Sequence, residues 1–342
     1  MHKILISISA LAIATTTAYA QEKTLYVAGF GGSTETLLKE KYFPVWEAKT
    51  GAKISYVAGN STDTLAKLRA QEGAQEIDVA FIDDGPMMQA IGFGYCDTIE
   101  EATFADLHEA ARFTDNKAVG IGIIATGLTY NSEYFAQQGW EPPTSWRDLA
   151  DPRYKGKVSV PPITNGYGLH ALIMAAKING GDVTNIEPGF EMFENEIDQN
   201  VLVYEPSSGK MSELFQNGEI VLSVWGSGRA KSLADTGFPA GFIYPKEGAV
   251  KLMSAICPVV ASDVPDLAQD FIRFILSPEI QHDLATQNGW GPVNTTVELT
   301  EAEIGSLPFG EEIVGSMVEV DYGFVNEARG EWTQAWTRRI ER

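Results

Sequence analysis

The sequence predicts an α/β protein with two lobes, and three observations support this fold class. Short β-rich runs alternate with helical spacing from Thr24 onward, a second series of the same kind starts near Lys157, and Pro142–Pro143 marks a change of unit between them. Strands that alternate with helices build a mostly parallel sheet with both faces covered. The 342 residues suffice for two lobes, since domains usually have about 100–200 residues.

The first series begins with a strand, a glycine turn at Gly29–Ser33 and a helix. Leu38, Tyr42, Val45 and Trp46 recur along this helix at a spacing that predicts one buried face. The predicted strands of this series are Thr24–Ala28, Lys53–Ala58, Asp78–Ile82 and Gly120–Tyr130.

The second series repeats the alternation and ends in a helical tail. Its predicted strands are Lys157–Val160, Asn200–Tyr204, Ile220–Trp225, Phe242–Tyr244 and Ala255–Val260. Helical spacing predicts helices over Leu169–Ile178, Met211–Phe215 and Leu267–Leu276, and the tail from Thr300 is predicted to be helical as well.

The composition excludes several classes of function. The chain has 46 Asp+Glu and 25 Lys+Arg residues, which gives a net charge of -21. Such an acidic surface repels phosphate backbones and anionic lipids, so we expect neither nucleic-acid binding nor binding to membrane surfaces. Four His and two Cys are too few for a multi-zinc or iron–sulfur protein, and no metal or other cofactor is expected.

Residues 1–20 have the pattern of a secretory signal peptide. An apolar run from Ile4 to Ala14 ends in a small-x-small pattern at Ala18–Ala20, which predicts cleavage after Ala20 and export to the periplasm. In an oxidising compartment, the two cysteines at Cys96 and Cys257 predict a structural disulfide. Two buried free thiols are the alternative.

The sequence lacks the motifs of common hydrolases. It contains no H-E-x-x-H, C-x-x-C or G-x-S-x-G motif, and its histidines have no metal-ligand spacing. Asp83–Asp84 offers a carboxylate pair, but adjacent acids on a loop more often cap the following helix. A secreted α/β hydrolase therefore stays an alternative without a visible nucleophile and base, and we expect a protein that is not an enzyme.

Three polar loops follow predicted strands and open helices. They are Gly31–Ser33, Thr164–Tyr167 and Ser207–Gly209. Because ligands bind beyond the carboxyl ends of strands in α/β sheets, these loops predict a site for a small polar molecule, although each is also an ordinary helix cap. Trp225 and Trp290 are candidate aromatic walls, or else core residues.

The sequence resembles the extracellular solute-binding proteins of ABC importers, in the branch that contains the spermidine/putrescine binders. The signal peptide and the Gly31–Ser33 turn belong to this resemblance, which extends over nearly all of the mature chain. The other matching segments are Asp78–Ile82, Gly180–Gly181, Phe215–Glu219, Pro245–Ala249, Leu276–Glu279, Gly291–Asn294 and Glu331–Thr333.

The resemblance implies the two-lobed periplasmic-binding-protein fold of type II, with a ligand trapped in the cleft when the lobes close about a hinge. It implies a first lobe from residues 21–126 and 253–300, which contains both cysteines, and a second lobe from residues 127–252. Residues 301–342 are expected to form a helical segment that packs on the lobes. The expected partners are a small-molecule solute, an ABC permease and its ATPase, and the protein is expected to be a monomer.

Departures from the polyamine binders shift the expected ligand. Pro162 and Asn165 stand where such proteins carry acids, and Leu252 and Ser254 stand where they carry an aromatic residue and an aspartate. A desolvated polycation without carboxylate partners is heavily penalised. We therefore expect a zwitterionic or anionic amino-acid-like solute, with a polyamine as the alternative within the same fold. A sensory binding protein would use the same cleft.

Asp83 and Arg229 are the charged pair expected to hold this solute. A carboxylate at Asp83 can bind an ammonium group, and a guanidinium at Arg229 can bind a carboxylate or phosphonate in bidentate fashion; the alternatives are a helix cap and a surface arginine. The full set of predicted ligand-binding residues is Gly32, Ser33, Asp83, Asn165, Tyr167, Ser208, Trp225, Arg229, Ser254 and Trp290.

Overall fold

The computed structural model describes residues 23–305 and 307–341. The predicted signal peptide therefore lies outside the described residues. The strands are β1 (Thr24–Phe30), β2 (Lys53–Gly59), β3 (Val79–Asp83), β4 (Val119–Asn131), β5 (Val158–Ser159), β6 (Val201–Val203), β7 (Leu222–Gly226), β8 (Ala240–Ile243) and β9 (Val250–Pro258).

The α-helices cover both faces of these strands. They are α1 (Ser33–Leu37), α2 (Phe43–Thr50), α3 (Ser61–Ala70), α4 (Asp84–Gly92), α5 (Ser132–Gln138), α6 (Gly166–Ile178), α7 (Glu187–Met192), α8 (Ser208–Gln216), α9 (Ser227–Asp235), α10 (Pro265–Ile275), α11 (Pro278–Asn288), α12 (Glu301–Ile304), α13 (Glu311–Ser316) and α14 (Tyr322–Arg339). A π-helical segment, Leu38–Tyr42, joins α1 to α2 without a break.

The strands form one mixed sheet in the order β2-β1-β3-β9-β4-β7-β5-β6, with β8 also paired to β4. The pairs β1–β2, β1–β3, β5–β6 and β5–β7 are parallel, as predicted. The prediction of a mostly parallel sheet is nevertheless wrong, because β4 and β9 run antiparallel to every strand they pair with. These two long strands cross the middle of the sheet, and local alternation of strands and helices carries no signal of their direction.

The strands β4 and β9 connect two separate hydrophobic cores. The first half of β4 pairs with β9 and packs in a core with β1, β3, α10 and α11. The second half pairs with β7 and packs in another core with β5, α6, α7 and α14. The change of partner falls at Thr126, which is opposite both Val250 and Gly226. The fold is thus two-lobed, and the exact lobe boundaries given above stay a prediction.

The helices pack through the faces that their apolar spacing predicts. In α10, Ala268, Phe271, Ile272 and Ile275 are buried at intervals of three and four residues, which places one stripe of the helix on the first core. The α14 helix buries Val325, Trp332 and Trp336 in the second core. The cost of exposing these stripes to water holds both helices against the sheet.

A disulfide joins Cys96 to Cys257, as predicted, with their Cα atoms 5.7 Å apart. Cys257 lies on β9 and Cys96 lies beyond the end of α4, so the bond links two distant parts of the chain around a small core of their own. In the part of the chain that the structure describes, no helix has the length and apolar character needed to cross a membrane.

Candidate functional site

A cavity of about 420 Å³ lies between the two cores, at the carboxyl ends of the parallel strands. This volume suits a small molecule. Charged and polar residues from both lobes line it, together with a few apolar walls. The principal lining residues are Gly31, Gly32, Asn60, Ser61, Asp83, Asp84, Thr164, Asn165, Tyr167, Ser208, Arg229, Leu252, Ser254, Trp290, Tyr322 and Arg329.

Asp83 ends β3 and presents its carboxylate to the cavity. Its Oδ2 accepts a hydrogen bond of 2.8 Å from the Ser61 hydroxyl, and its Oδ1 accepts one of 3.0 Å from the Ser254 hydroxyl. Ser254 is its direct neighbour in the ladder between β3 and β9. Burial raises the pKa of Asp83, although both hydroxyls and the more distant Arg229 and Arg329 oppose that shift.

Arg229, in the first turn of α9, reaches from the second lobe to the first. Its Nη1 donates to the carbonyl of Gly31 at 3.1 Å and to the Ser33 hydroxyl at 3.0 Å. Gly32 has a φ of 69°, and a Cβ there would lie 3.2 Å from this same Nη1 atom. A glycine at this turn therefore permits both the left-handed backbone and the close approach of the guanidinium.

Helix N-termini converge on the cavity from both lobes. Asn60 caps α3, Asn165 caps α6 and Ser207 caps α8, each through its side-chain oxygen. The Thr62 hydroxyl of α3 also donates to the carbonyl of Thr164 at 3.1 Å and so bridges the cleft. The N-terminus of a helix carries a partial positive charge, so three such ends favour an anionic ligand.

Aromatic rings form two walls of the cavity. Trp290 packs edge-on against Phe30, with ring centroids 6.2 Å apart, and its indole also lies against Gly228 of α9. The Tyr167 ring lies over Gly226, where a Cβ would be only 2.5 Å from the phenol oxygen. Burial raises the pKa of Tyr167 to about 12, although Arg229 opposes the shift. The phenol is therefore a neutral hydrogen-bonding group at physiological pH.

A chain of buried hydrogen bonds runs behind the cavity. Thr126 Oγ1 bonds to His170 Nδ1 at 2.8 Å, and His170 Nε2 bonds to the Tyr322 hydroxyl at 2.7 Å. The hydroxyl of Tyr322 also bonds to the Asp84 carboxylate. Asp84 accepts two further bonds of 3.0 Å, one from the Gly85 N–H and one from the Met253 N–H. The chain thereby links β4, α6, α14, α4 and β9.

The burial of Asp84 and His170 behind the cavity shifts the pKa of each group. Burial raises the pKa of Asp84 to about 7, with the neighbouring Asp83 charge adding to the rise and the Met253 N–H opposing it. Burial lowers the pKa of His170 to about 3, and Arg329 adds to this effect. His170 is therefore a neutral imidazole held between two hydroxyls.

Arg329 enters the cavity from α14 and is only 8% exposed. Its Nη2 donates to the carbonyls of Ile163 and Thr164, at 3.3 and 3.2 Å. Its Nη1 is buried and has no hydrogen-bond partner within residues 23–305 and 307–341.

The structure brings eight of the ten predicted residues to the cavity wall, namely Gly32, Asp83, Asn165, Tyr167, Ser208, Arg229, Ser254 and Trp290. Ser33 lies behind that wall and accepts a hydrogen bond from Arg229. Trp225 is the exception, because its side chain is buried behind β7 and stacks on Phe215 in a small core. Successive side chains of β7 point to opposite faces of the sheet, and Trp225 packs with Phe215 whereas Val224 packs in the second core. The binding role of the other residues stays a prediction.

Several residues of the cavity are not among those that the sequence predicts, including Asn60, Ser61, Asp84, Tyr322 and Arg329. Asp84 was seen only as half of an acidic pair that caps a helix. Tyr322 and Arg329 lie in the tail, more than 30 residues beyond Trp290, and no motif marks them. One signal in the sequence could have indicated Arg329: it has helical spacing with Trp332 and Trp336, which places an arginine on the apolar face of the helix.

The arrangement can bind a molecule that carries both signs of charge. Asp83 faces a cavity that also contains Arg229 and Arg329, and the hydroxyl and amide groups around them offer further hydrogen bonds. His170 bonds to Thr126 and Tyr322, not to a serine or cysteine nucleophile. Among the described residues, no group of three or more His, Cys, Asp or Glu side chains is placed to hold a metal ion.

Comparison with known proteins shows similarity over nearly the whole chain. A gamma-aminobutyric acid-binding protein of Pseudomonas aeruginosa is 24% identical over 340 residues, which cover 94% of this chain and 93% of that protein. The spermidine/putrescine-binding periplasmic protein of Escherichia coli is 24% identical over 354 residues, with 96% of each chain covered. The crystal structure of an ABC transporter protein from Clostridium perfringens superposes with a TM-score of 0.70 and 27% identity, covering 92% of this chain and 99% of that one.

The sequence profile of the bacterial extracellular solute-binding proteins matches residues 43–307. That match includes β4, β9 and most of the cavity wall, but ends before Tyr322 and Arg329. The members of this family bind solutes and are not enzymes, which agrees with the absence of hydrolase motifs. The chain belongs to the family of bacterial extracellular solute-binding proteins.

Proposed function

We propose that this protein is the periplasmic receptor of an ABC importer and captures a small zwitterionic or anionic amino-acid-like compound. The observation that carries the proposal is that Asp83 and Arg229, which make no ion pair with each other, line one cavity from facing lobes. Closure of the lobes would enclose the solute, which would then be delivered to a membrane permease and its ATPase.

Asp83 has the capacity to bind an ammonium group. A carboxylate offers about four lone-pair positions, and the Ser61 and Ser254 hydroxyls occupy one on each oxygen. The remaining positions on the side of the cavity are available to a cationic donor. A charge-assisted bond of this kind is stronger than a neutral one.

Arg229 has the capacity to bind the acidic end of the same molecule. Within the described residues it contacts a carbonyl and a hydroxyl through Nη1 but makes no ion pair with a carboxylate. Its guanidinium carries five donors in a planar fork that matches a carboxylate or phosphonate. The helix N-termini around it would add to the attraction.

A polyamine is the second candidate, because relatives of this chain carry that name. Two or more ammonium groups would need several carboxylates in place of their lost water. In this cavity Asn165, Leu252 and Ser254 are neutral, and the Asp84 oxygens already accept bonds from Gly85, Met253 and Tyr322. Two guanidiniums would also repel a polycation. The charges therefore favour an amino acid or a related zwitterion.

Calorimetry of the mature protein tests this proposal directly. We expect binding of 4-aminobutyrate, 5-aminovalerate or 2-aminoethylphosphonate and no comparable binding of putrescine or spermidine. Arg229→Gln should weaken binding by about 10- to 100-fold, since bonds to a charged group contribute about 1.5–3 kcal/mol. The control variant Arg338→Gln changes an exposed arginine on α14 and should leave affinity unchanged.

Micromolar binding of a polyamine alone would contradict the proposal. If none of these compounds binds, native mass spectrometry of freshly purified protein would identify a retained solute. A retained polycation would also contradict the proposal.

Export to the periplasm is tested by sequencing the N-terminus of the exported protein, which we expect to be Gln21. Uptake of the labelled solute should then depend on the gene, whereas a purely sensory protein would leave uptake intact.

A further inference from the structure

We propose that Arg329 is a second anion-binding residue of the cleft and that the solute carries two negative charges besides its ammonium group. An aminophosphonate or an amino dicarboxylate has this chemistry, whereas a simple amino acid is electrically neutral. This inference rests on the proposed function and narrows its substrate class.

The first observation is an unused hydrogen-bond donor at the cavity. Arg329 is more than nine-tenths buried, and two backbone carbonyls hold its Nη2 in place. Its Nη1 has no partner among the described residues, although the side chain lines the cavity. Buried donors are nearly always satisfied in folded proteins, so an acceptor supplied by the solute would complete this group.

The second observation is an unpaired buried charge. Arg329 and Arg229 both attract Asp83 at long range, yet neither lies within ion-pair distance of a carboxylate in residues 23–305 and 307–341. A buried guanidinium without a counter-ion is costly. A second negative charge on the solute, placed against Nη1, would remove that cost.

Both acids and arginines line the cavity. Arg229 and Arg329 face Asp83 and Asp84, and the pKa of Asp84 near 7 leaves that acid partly protonated. Two further acids line the cavity: Glu35 pairs with Lys39, and the Asp63 carboxylate accepts the Asn60 N–H in the capping box of α3. The Nη1 of Arg329, which is unpartnered among the described residues, and not the net charge of the lining, therefore favours a second negative group on the solute.

The competing interpretation is that Arg329 only supports the loop at Ile163–Thr164 through Nη2. A purely structural arginine would affect stability but not the choice between solutes. The relevant measurement is thus the ratio of affinities for two ligands that share an amine and a carbon chain but differ in negative charge, not the affinity for either one.

The experiment uses two matched pairs of ligands in calorimetry. The first pair is β-alanine and 2-aminoethylphosphonate, which share a two-carbon chain; the second is 4-aminobutyrate and glutamate, which differ by one carboxylate. We expect the wild-type protein to bind the doubly charged member of at least one pair about 10- to 100-fold more tightly. The pair that shows the preference identifies the second charge as phosphonate or carboxylate.

Variants of Arg329 assign that preference. Arg329→Gln should reduce the ratio to near one, and Arg329→Lys, which keeps the charge without the fork, should give an intermediate ratio. Arg338→Gln should leave the ratio unchanged. Thermal unfolding without ligand reports any loss of stability separately, and the Lys variant carries the test if the Gln variant does not fold.

The outcomes separate this inference from the proposed function. An unchanged ratio in both Arg329 variants would assign Arg329 a structural role, and equal affinities within both pairs for the wild-type protein would refute the second charge. In either case binding of 4-aminobutyrate or β-alanine would keep the proposed function intact. Binding of polyamines alone would refute both.

Discussion

Two buried titratable residues, Asp84 and His170, are joined through the Tyr322 hydroxyl. The Asp84 pKa is raised to about 7 and the His170 pKa is lowered to about 3, in both cases mainly by burial. Both shifts favour the neutral form, since a buried charge costs more than a buried neutral group. The hydrogen bonds from Thr126 to Asp84 are therefore kept without a full charge on Asp84 or His170 behind the cleft.

These opposite shifts predict opposite effects of pH on the free energy of unfolding. Between about pH 4 and 7 the folded protein keeps a proton on Asp84 that the unfolded chain releases, so this group lowers stability as the pH rises. Between about pH 3 and 6.5 the unfolded chain binds a proton at His170 that the folded protein does not, so this group lowers stability as the pH falls.

Urea unfolding of two variants between pH 4 and 6.5 separates the two effects. Relative to the wild-type protein, the stability of Asp84→Asn should rise with pH by up to about 1.4 kcal/mol per pH unit, and that of His170→Gln should fall by a similar amount. Both variants also lose hydrogen bonds, which adds a constant offset. Parallel pH curves for wild type and both variants would contradict the assigned pKa shifts.

The C-terminal helix α14 belongs to the second core but also contacts the first lobe. Asn326 donates to the Gly85 carbonyl at 2.9 Å and accepts a bond of 2.8 Å from Gln89, both in α4. Its other end buries Trp336, whose ring lies 4.9 Å from that of Phe193 and 5.3 Å from that of Tyr204. The helix therefore positions Tyr322 and Arg329 at the cleft by packing at a distance from it.

Truncation of Trp336 tests the anchoring of α14. Trp336→Ala should lower the free energy of unfolding by about 3–5 kcal/mol, because it removes a fully buried ring and leaves a cavity. Phe324 on the same helix is 37% exposed, so Phe324→Ala should change stability by no more than about 0.5 kcal/mol. Equal unfolding midpoints for the two variants would show that α14 does not depend on this contact.

At the scale of the whole molecule, β4 and β9 run between the two cores, and the chain crosses once more between α11 and α14. Hydrogen bonds from Arg229 to Gly31 and Ser33 and from Thr62 to the Thr164 carbonyl bridge the cleft, and Tyr322 and Asn326 of α14 bond to α4. These hydrogen bonds are few compared with the apolar contacts within each core. Opening of the lobes, as in hinged binding proteins, would break the bonds of Arg229 and Thr62 without disturbing either core.

Solute binding should therefore compact the protein and stabilise it. We expect a smaller radius of gyration in X-ray scattering when the bound solute is saturating, and no change with a compound that calorimetry shows not to bind. At 100 times the dissociation constant, the solute should raise the free energy of unfolding by about 2.7 kcal/mol. A scattering profile that stays the same despite measured binding would contradict closure.

Much of the cleft was predictable because its residues sit at local signals. Gly32 lies in a glycine turn, Asn165 and Ser208 open helices after strands, and Asp83 ends a compact apolar strand. Such signals depend on neighbours in the chain, so they can be read without knowing the fold. The strand β9 shows the limit: it was predicted to start at Ala255 but starts at Val250, because Lys251 and Ser254 interrupt its apolar run while pairing with β4 holds them in the ladder.

The sequence alone determined the class of the fold, the glycine turn, the disulfide partners and several polar residues of the cavity. The tertiary structure decided the direction of β4 and β9, the burial of Trp225 away from the cleft, and the arrival of Tyr322 and Arg329 from the end of the chain. The physical reason is that turn and spacing preferences depend on neighbours in the chain. Arg329, in contrast, is 246 positions from Asp83 and reaches the same cavity only because α14 is buried in the second core.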